Sequence, residues 1–542
     1  MPRDFGSLRD LLSDACKKYA ELTAFSCESA QITFSELDNK SDQFAAWLQC
    51  DTTLEPGDRV AIQVPNLIQY PVIALGAIKA GMVIVNINPL YTAGETEHQL
   101  RDSGARVLVT MEEILPVTSR ILPGTEIEKV VITRAADLHP LPWRWAYKVS
   151  RAAMIRRAKA IRFSGKVSLK TVLAKGSHLL KNKGIEKNHS GRCEQLALIQ
   201  YTGGTTGVAK GAMLSHDNLI ANMHQIDHVI EGHRPEPGSV AAAPLPFYHI
   251  YAFTLNFLYS ICKGYHGILI PDPRKTEKII KALKPHRISS FVGISTLFHM
   301  LCKDTKFHQL DFSSLKVCTS GGMALSVATA RRWEKITGCR ILEGYGLTET
   351  SPLVASNTLD RFQEGKISST TQWAEIKVVD DAGKEVAPGE EGEILVRGPQ
   401  VMLGYWNRPV ETSAVLKEDG WLHTGDIGVI DKDGSLSVVD RIKDLIIVSG
   451  FNVYPAEIES HVHKHPDIRE AAAIGVPRGE GESVKLFVIS ENPELTEEEV
   501  IHFCRQGLTP YKVPSKVEFR ATLPRSNVGK ILRRQLREDQ AS

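Results

Sequence analysis

A chain of 542 residues is too long for one hydrophobic core, so a large domain of several subdomains and a smaller one are expected. Its 65 lysines and arginines are almost balanced by 63 aspartates and glutamates, and the net charge of +2 gives no global case for a nucleic-acid binder. The nine cysteines lie singly with no C-x-x-C pair, which excludes a zinc or disulfide framework and fits a reducing cytoplasm.

From the N-terminus, charges within the first turns and the lack of an apolar core argue against a targeting signal. No window reaches the roughly 18 uninterrupted apolar residues needed to span a bilayer, so membrane contact is expected to be peripheral at most. Short β-branched runs then alternate with helical patterns: "RVAIQV" at 59, "YPVIALGAIKAG", "MVIVNI" at 82, "TEHQLRDSG" and "ARVLVT" at 105. The alternation predicts βαβ units and a parallel sheet. From Leu138 to Ile185 there is no acidic residue, and basic side chains mix with Trp143, Trp145, Tyr147 and Phe163. Two readings stand there, a solvated surface helix and a contact with anionic lipid headgroups.

The buried run "LALIQY" at 196 leads into "YTGGTTGVAKGAML", Tyr201 to Leu214. Glycine backbone amides, threonine hydroxyls and the Lys210 ammonium suit a polyanion cradle, although a flexible turn has a similar composition. It is not the P-loop pattern, because Lys210 is followed by Gly211 rather than Ser or Thr. "GAML" reads as extended, and Ser215 as the cap of a helix with Leu219, Ile220, Met223, Ile226 and Ile230 at helical spacing. The loop therefore falls at a strand end, where α/β proteins bind ligands. From about 366 the texture turns to strands with Gly and Asp turns, a small all-β subdomain over 366–440. An α+β pattern follows: a helix near "PAEIESHVHKH", then the strands "EAAAIGV" and "SVKLFVIS". A boundary is placed near Asp440, giving domains 1–440 and 441–542.

Further stretches in this order carry chemistry-bearing residues: "EGYGLTET" at 343 with Tyr345, Gly346, Thr348 and Glu349, "WLHTGDIG" with Asp426, "VDRIKDLIIVSGFNVYP" with Asp440 and Arg441, and "LPRSNVGKILRR" with Lys530. Together with the loop they resemble the adenylate-forming superfamily of acyl-CoA synthetases, adenylation domains and luciferases over essentially the whole chain. The likeness extends to bacterial long-chain fatty-acyl-CoA synthetases through "NPLYTAGETEHQLRDSGA", "PLPFYHIYAFTLN", "LDFSSLKV", "RGPQVMLGYWNRP" and "TPYKVPSKVEFR".

The resemblance implies an α/β fold, with a large N-terminal domain of two α/β lobes and a β subdomain, followed by a mobile α+β C-terminal domain. It implies that ATP and a carboxylate give acyl-AMP, from which coenzyme A displaces AMP. Tyr201, Thr202, Gly203, Gly204, Thr205, Thr206, Gly207 and Lys210 would surround ATP's phosphates, and Glu349 with Thr205 would hold magnesium. Gly322, Tyr345, Gly346, Asp426 and Arg441 would form the nucleotide site, with Thr348 at the α-phosphate, Gly450 on the coenzyme A path and Asp440 as hinge. Lys530 would act where charge builds in the transition state. His249 is read either as a core residue or as lining an acyl site. A long-chain fatty acid is the implied substrate, with aromatic or short-chain acids, a carrier protein as acceptor, and a non-catalytic nucleotide scaffold as alternatives. A homodimer and a peripheral place on the inner face of the membrane are allowed for. The chain departs from the family at "GKISSTTQWAEIK", where Ser368 and Thr370 replace the expected Gly and Pro beside Gly365 and Trp373, at Ser320 in "TSGGM", and at Ile442. These departures bear on acyl-chain preference, not on the catalytic set.

Overall fold

The computed structural model describes residues 7–140, 165–182, 195–202, 209–448, 451–478, 481–525 and 531–541, and these form five sheets. In the first, Arg59–Gln63, Val83–Asn86, Val107–Met111, Lys129–Thr133 and Lys166–Ser168 run parallel, and Leu196–Thr202 joins them alongside Val83–Asn86. Val83–Asn86 and Val107–Met111 are buried at every position, because helices cover both faces. This is why their sequences read as unbroken apolar runs rather than alternating ones. Helix Gln69–Lys79 is likewise buried at every residue and packs on helix Phe34–Cys50, so it presents no polar face. Strand Leu196–Thr202 then turns back on itself: Lys210–Ser215 pairs with it antiparallel, and Gly404–Tyr405 adds to the outer edge. The local reading of "GAML" as extended holds, while the reversal of direction is set by pairing and has no local signature. Ser215 caps helix His216–Val229 through a reciprocal pair with Asn218.

The second sheet has a parallel centre of Thr23–Cys27, Val240–Ala243, His266–Leu269, Ile288–Gly293, Val317–Gly321 and Ile341–Gly346, with antiparallel strands at both edges. A separate antiparallel sheet follows, Glu375–Val379, Glu391–Arg397, Leu422–Ile430 and Leu436–Arg441. Leu422–Ile430 is the longest of these and carries no strand pattern of its own in the sequence. Beyond it, Ile468–Arg478, Gly481–Ser490 and Lys516–Phe519 form a sheet with its own core of Ile458, Ala473, Leu486, Val488, Val500 and Cys504. An ion pair between Lys303 and Glu491, 2.5 Å, links helix Ser295–Lys303 to this smaller unit.

Part of the acid-free stretch is structural. Helix Leu169–Asn182 packs on Phe34–Cys50, and Lys175 pairs with Asp51 at 2.9 Å. The portion from 141 to 164, with Trp143, Trp145, Tyr147 and Phe163, lies outside the described residues. No described helix is long and apolar enough to cross a membrane.

Candidate active site

The carboxyl end of strand Ile341–Gly346 meets the small antiparallel sheet, and three of the predicted residues converge there. Tyr345, near the end of strand Ile341–Gly346, is 8% exposed and donates its hydroxyl to Asp426 Oδ2 at 2.8 Å. Asp426, 4% exposed, takes Arg441 Nε on its other oxygen at 2.9 Å, and the two residues are cross-strand neighbours. A carboxylate taken this far from water needs both partners, since its desolvation is offset only by direct hydrogen bonds and charge. Burial, followed by the negative charge of Asp426, holds the Tyr345 hydroxyl well above its ordinary pKa, so it remains a donor.

After Gly346 the chain folds into a tight turn, Thr348–Thr350, closed by Leu347 N–H donating to Thr350 Oγ1. A Cβ on Gly346 would lie 1.9 Å from the Pro352 carbonyl oxygen, so only glycine allows the backbone to double back there. The turn presents Glu349 to a cavity of about 340 Å³ lined also by Leu347, Tyr405, His423 and Thr424. On the other side of Tyr405 stands Lys210, its ammonium 5.2 Å from the ring centroid, and Tyr405 donates to Glu349 Oε1 at 2.8 Å. Thr202 and Lys210 are register partners, so the two stems of the glycine-rich loop are hydrogen-bonded neighbours at its mouth. Gly203, Gly204, Thr205, Thr206 and Gly207 lie outside the described residues, as do Gly450 and Lys530.

Tyr201 is held by a neighbour on another element. It is 6% exposed and donates to Asp102 Oδ2 at 2.7 Å, while Arg408 binds Asp102 Oδ1 at 2.7 Å. Its side chain braces helix Ala93–Ser103. The neighbouring Gln200, which the sequence reading passed over, faces the other way and donates to the Tyr248 carbonyl at 2.9 Å, while Asn86 donates to Gln200 and Tyr70 to Asn86. A polar residue directly after an apolar run in each of two strands, Asn86 and Gln200, is the signal that could have found this network.

His249 is half-buried and caps a short helix through Nδ1, which accepts from Tyr251 N–H. The segment then winds into a π-helix, Phe253–Tyr259, a geometry common at functional sites. Thr254 donates to the Ser351 carbonyl and Tyr251 shares a hydrogen bond with Thr319, so this segment is tied both to the Glu349 turn and to "TSGGM". Gly322 of that stretch has φ +82°, and Ser320 is buried. The atypical segment has its own scaffold: Asn357 donates to the Gln363 and Lys366 carbonyls and accepts from Ser368 N–H, while Trp373 has φ +65° and sets its ring edge-on to His224.

A model of the AMP-binding enzyme family matches residues 12–406, and a model of the AMP-binding enzyme C-terminal domain matches 457–530. The chain belongs to the AMP-binding enzyme family. Among its relatives, a long-chain-fatty-acid–CoA ligase of Salmonella typhimurium is 45% identical over 99% of this chain and 95% of that protein. One of Bacillus subtilis is 37% identical over 100% and 96%. Among solved structures, ATP-bound MatB of Rhodopseudomonas palustris aligns over 98% of both chains at 28% identity with a TM-score of 0.80.

For an AMP-binding enzyme the donor set can be tested against magnesium. Among the described residues no group of three or more His, Cys, Asp or Glu could cage a metal. Glu349 and Glu393 both line the cavity, and His423 and the Gly425 N–H engage Glu393, which leaves Glu349 as the one carboxylate to offer in the arrangement magnesium takes when substrate phosphates and water complete its shell. The residues fit on those terms.

Glu343, two residues before Tyr345 on strand Ile341–Gly346, supplies a pH test. Burial pushes its carboxyl up to about 7, with Leu325 N–H donating to it at 3.4 Å. A carboxyl raised on folding binds its proton more tightly in the native state, so its contribution is fully favourable below the unfolded value and is lost as pH rises through 7. Glu343→Gln is therefore expected to stabilise the protein by on the order of 2 kcal/mol above pH 8 and by almost nothing near pH 4. Urea melts across that range check it; an equal effect at both ends contradicts it.

Proposed function

We propose that the chain activates long-chain fatty acids, forming acyl-AMP from ATP and then acyl-CoA, with release of pyrophosphate and AMP. The observation that carries the reading is that Tyr405 joins Lys210 to Glu349, while Tyr345, four residues before Glu349, joins Asp426 and Arg441. The long-chain ligases among the relatives support the choice of acid. A carboxylate is anionic and has no good leaving group, so coupling it to AMP removes both obstacles. One carboxylate oxygen attacks the α-phosphorus and the bond to the β-phosphate breaks. The coenzyme A sulfur then attacks the acyl carbon, the acyl–phosphate bond breaks, and the thiol proton passes to water.

Each residue has a part in this reading. Thr202, Lys210 and the loop Gly203, Gly204, Thr205, Thr206 and Gly207 hold the β- and γ-phosphates. Tyr345, Gly346 and Gly322 bound the adenine, Asp426 accepts from the ribose hydroxyls with Arg441 beside it, and Thr348 contacts the α-phosphate. Glu349, with Thr205, would hold magnesium, which when bound with ATP neutralises phosphate charge. Lys530 supports the charge that develops between carboxylate and α-phosphate. His249 lines the acyl entrance, Gly450 borders the coenzyme A path, and the small domain, 441–542, turns about Asp440 between the two steps.

Incubation with ATP and a panel of acids, following pyrophosphate and thioester separately, tests it. Pyrophosphate is expected from ATP and palmitate, and thioester only when coenzyme A is added. Each buried methylene contributes about 0.8 kcal/mol, so kcat/KM is expected to climb steeply from hexanoate to palmitate. Benzoate or acetate outperforming palmitate would overturn the substrate class.

A further inference from the structure

We propose that Tyr405 is a positioning residue for the nucleotide site, its hydroxyl orienting the Glu349 carboxylate for a divalent cation and its ring face orienting the Lys210 ammonium for phosphate. The inference rests on the reading above for the identity of the ligand, and it adds a residue to which that reading gives no role.

Tyr405 is the side chain that touches both halves of the site. Its hydroxyl donates to Glu349 Oε1 at 2.8 Å, and Lys210 Nζ lies 5.2 Å from the ring centroid. Its place is fixed by the backbone around it. Leu403 N–H and Trp406 N–H donate to the Met213 and Gly211 carbonyls at 2.9 and 2.8 Å, on the strand that begins with Lys210. Met402 N–H donates to the Glu349 carbonyl at 2.8 Å, and Tyr405 N–H to Thr412 Oγ1 at 2.9 Å. The segment 402–406 therefore stitches the phosphate-loop strand to the Glu349 turn, with the Tyr405 ring on the seam.

The chemistry follows from counting donors and acceptors. A phenol has one proton to donate, and here it goes to Oε1; among the described residues Oε2 has no hydrogen-bond partner. A carboxylate pinned at one oxygen keeps its second oxygen aimed and available, as metal-ligating carboxylates are when a neighbour holds them. The negative face of the ring attracts the ammonium without occupying its three N–H donors, which leaves those for phosphate oxygens. The two effects belong to different parts of one side chain and are separable by mutation.

Tyr405→Phe keeps the ring and every backbone bond but removes the hydroxyl; Tyr405→Leu removes both hydroxyl and ring. Calorimetric titration of ATP in EDTA, and of ATP at rising magnesium, reads binding independently of turnover. For Tyr405→Phe the magnesium needed for half-maximal tightening of ATP is expected to rise about tenfold, while the Kd for ATP in EDTA stays unchanged. For Tyr405→Leu the metal-free Kd is expected to weaken as well, by about threefold. An unchanged magnesium requirement in Tyr405→Phe overturns the proposal, and so does equal weakening of metal-free ATP binding by both variants. If the unmodified chain released no pyrophosphate from ATP and palmitate yet showed this Tyr405 dependence, the fatty-acid reading would fall and the positioning role would stand.

Discussion

Lys530→Ala is expected to slow pyrophosphate release from ATP and palmitate by on the order of a hundredfold or more, while thioester formation from supplied acyl-AMP stays within about twofold of the unmodified rate. The magnitude is that of losing one preorganised donor to a transition state whose charge is not yet present in the ground state. The selectivity comes from the chain's layout. Lys530 lies in the segment after the smaller unit's sheet, and its flanks are anchored to that unit: Arg525 pairs with Ile531 across a short bridge and with Glu470, and Arg533 with Glu459 and Asp444. Whatever moves the unit moves both flanks of the segment that contains the lysine. In the proposed cycle coenzyme A enters only after the unit has turned, and the lysine is then no longer at the α-phosphate. Rapid-quench measurement of each half-reaction checks this, and equal slowing of both halves would exclude a lysine confined to the first.

The second large effect is expected at Asp440. Its carboxylate accepts from Ala456 N–H and Arg441 N–H, both at 2.8 Å, so it caps helix Pro455–Val462, which also carries Glu459 and through it Arg533. Burial raises its pKa, and those two backbone donors oppose the rise. Asp440→Pro fixes φ at the point where the rotation is placed. Thioester formation is expected to fall by about a hundredfold, the scale of loss when reacting groups are mispositioned by about an ångström, and adenylation by much less. Proline also deletes the cap, worth about 1 kcal/mol, so Asp440→Ala is the control that removes the carboxylate and leaves φ free. If the alanine variant reproduced the loss in thioester formation, the cap rather than backbone rotation would be responsible.

The parts of this architecture that were readable in advance are those fixed by neighbours in sequence. Val83–Asn86 and Val107–Met111 announce themselves because both faces are covered, and Ser215 announces a helix because its partner Asn218 is three residues away. What could not be read is fixed at a distance. Leu422–Ile430 contains "HTGDIG", with Gly425 at φ +69°, and becomes a strand through Glu391–Arg397 and Leu436–Arg441 on either side. The orientation of Tyr201 depends on Asp102, 99 positions earlier, and that of Glu349 on Tyr405, 56 positions later. The motif letters marked Tyr345, Asp426 and Arg441 as a set, but not that they bond to one another.

The contact between Lys303 and Glu491 joins two parts of the chain that the proposed cycle must separate, and both side chains are about half exposed. A pair in that setting is worth about 0.2–1 kcal/mol and weakens with salt. It can therefore tilt the choice between two orientations of the smaller unit by no more than about fivefold. So small a contribution does not by itself hold the smaller unit in one orientation, and a ligand that distinguishes the two orientations more strongly outweighs it.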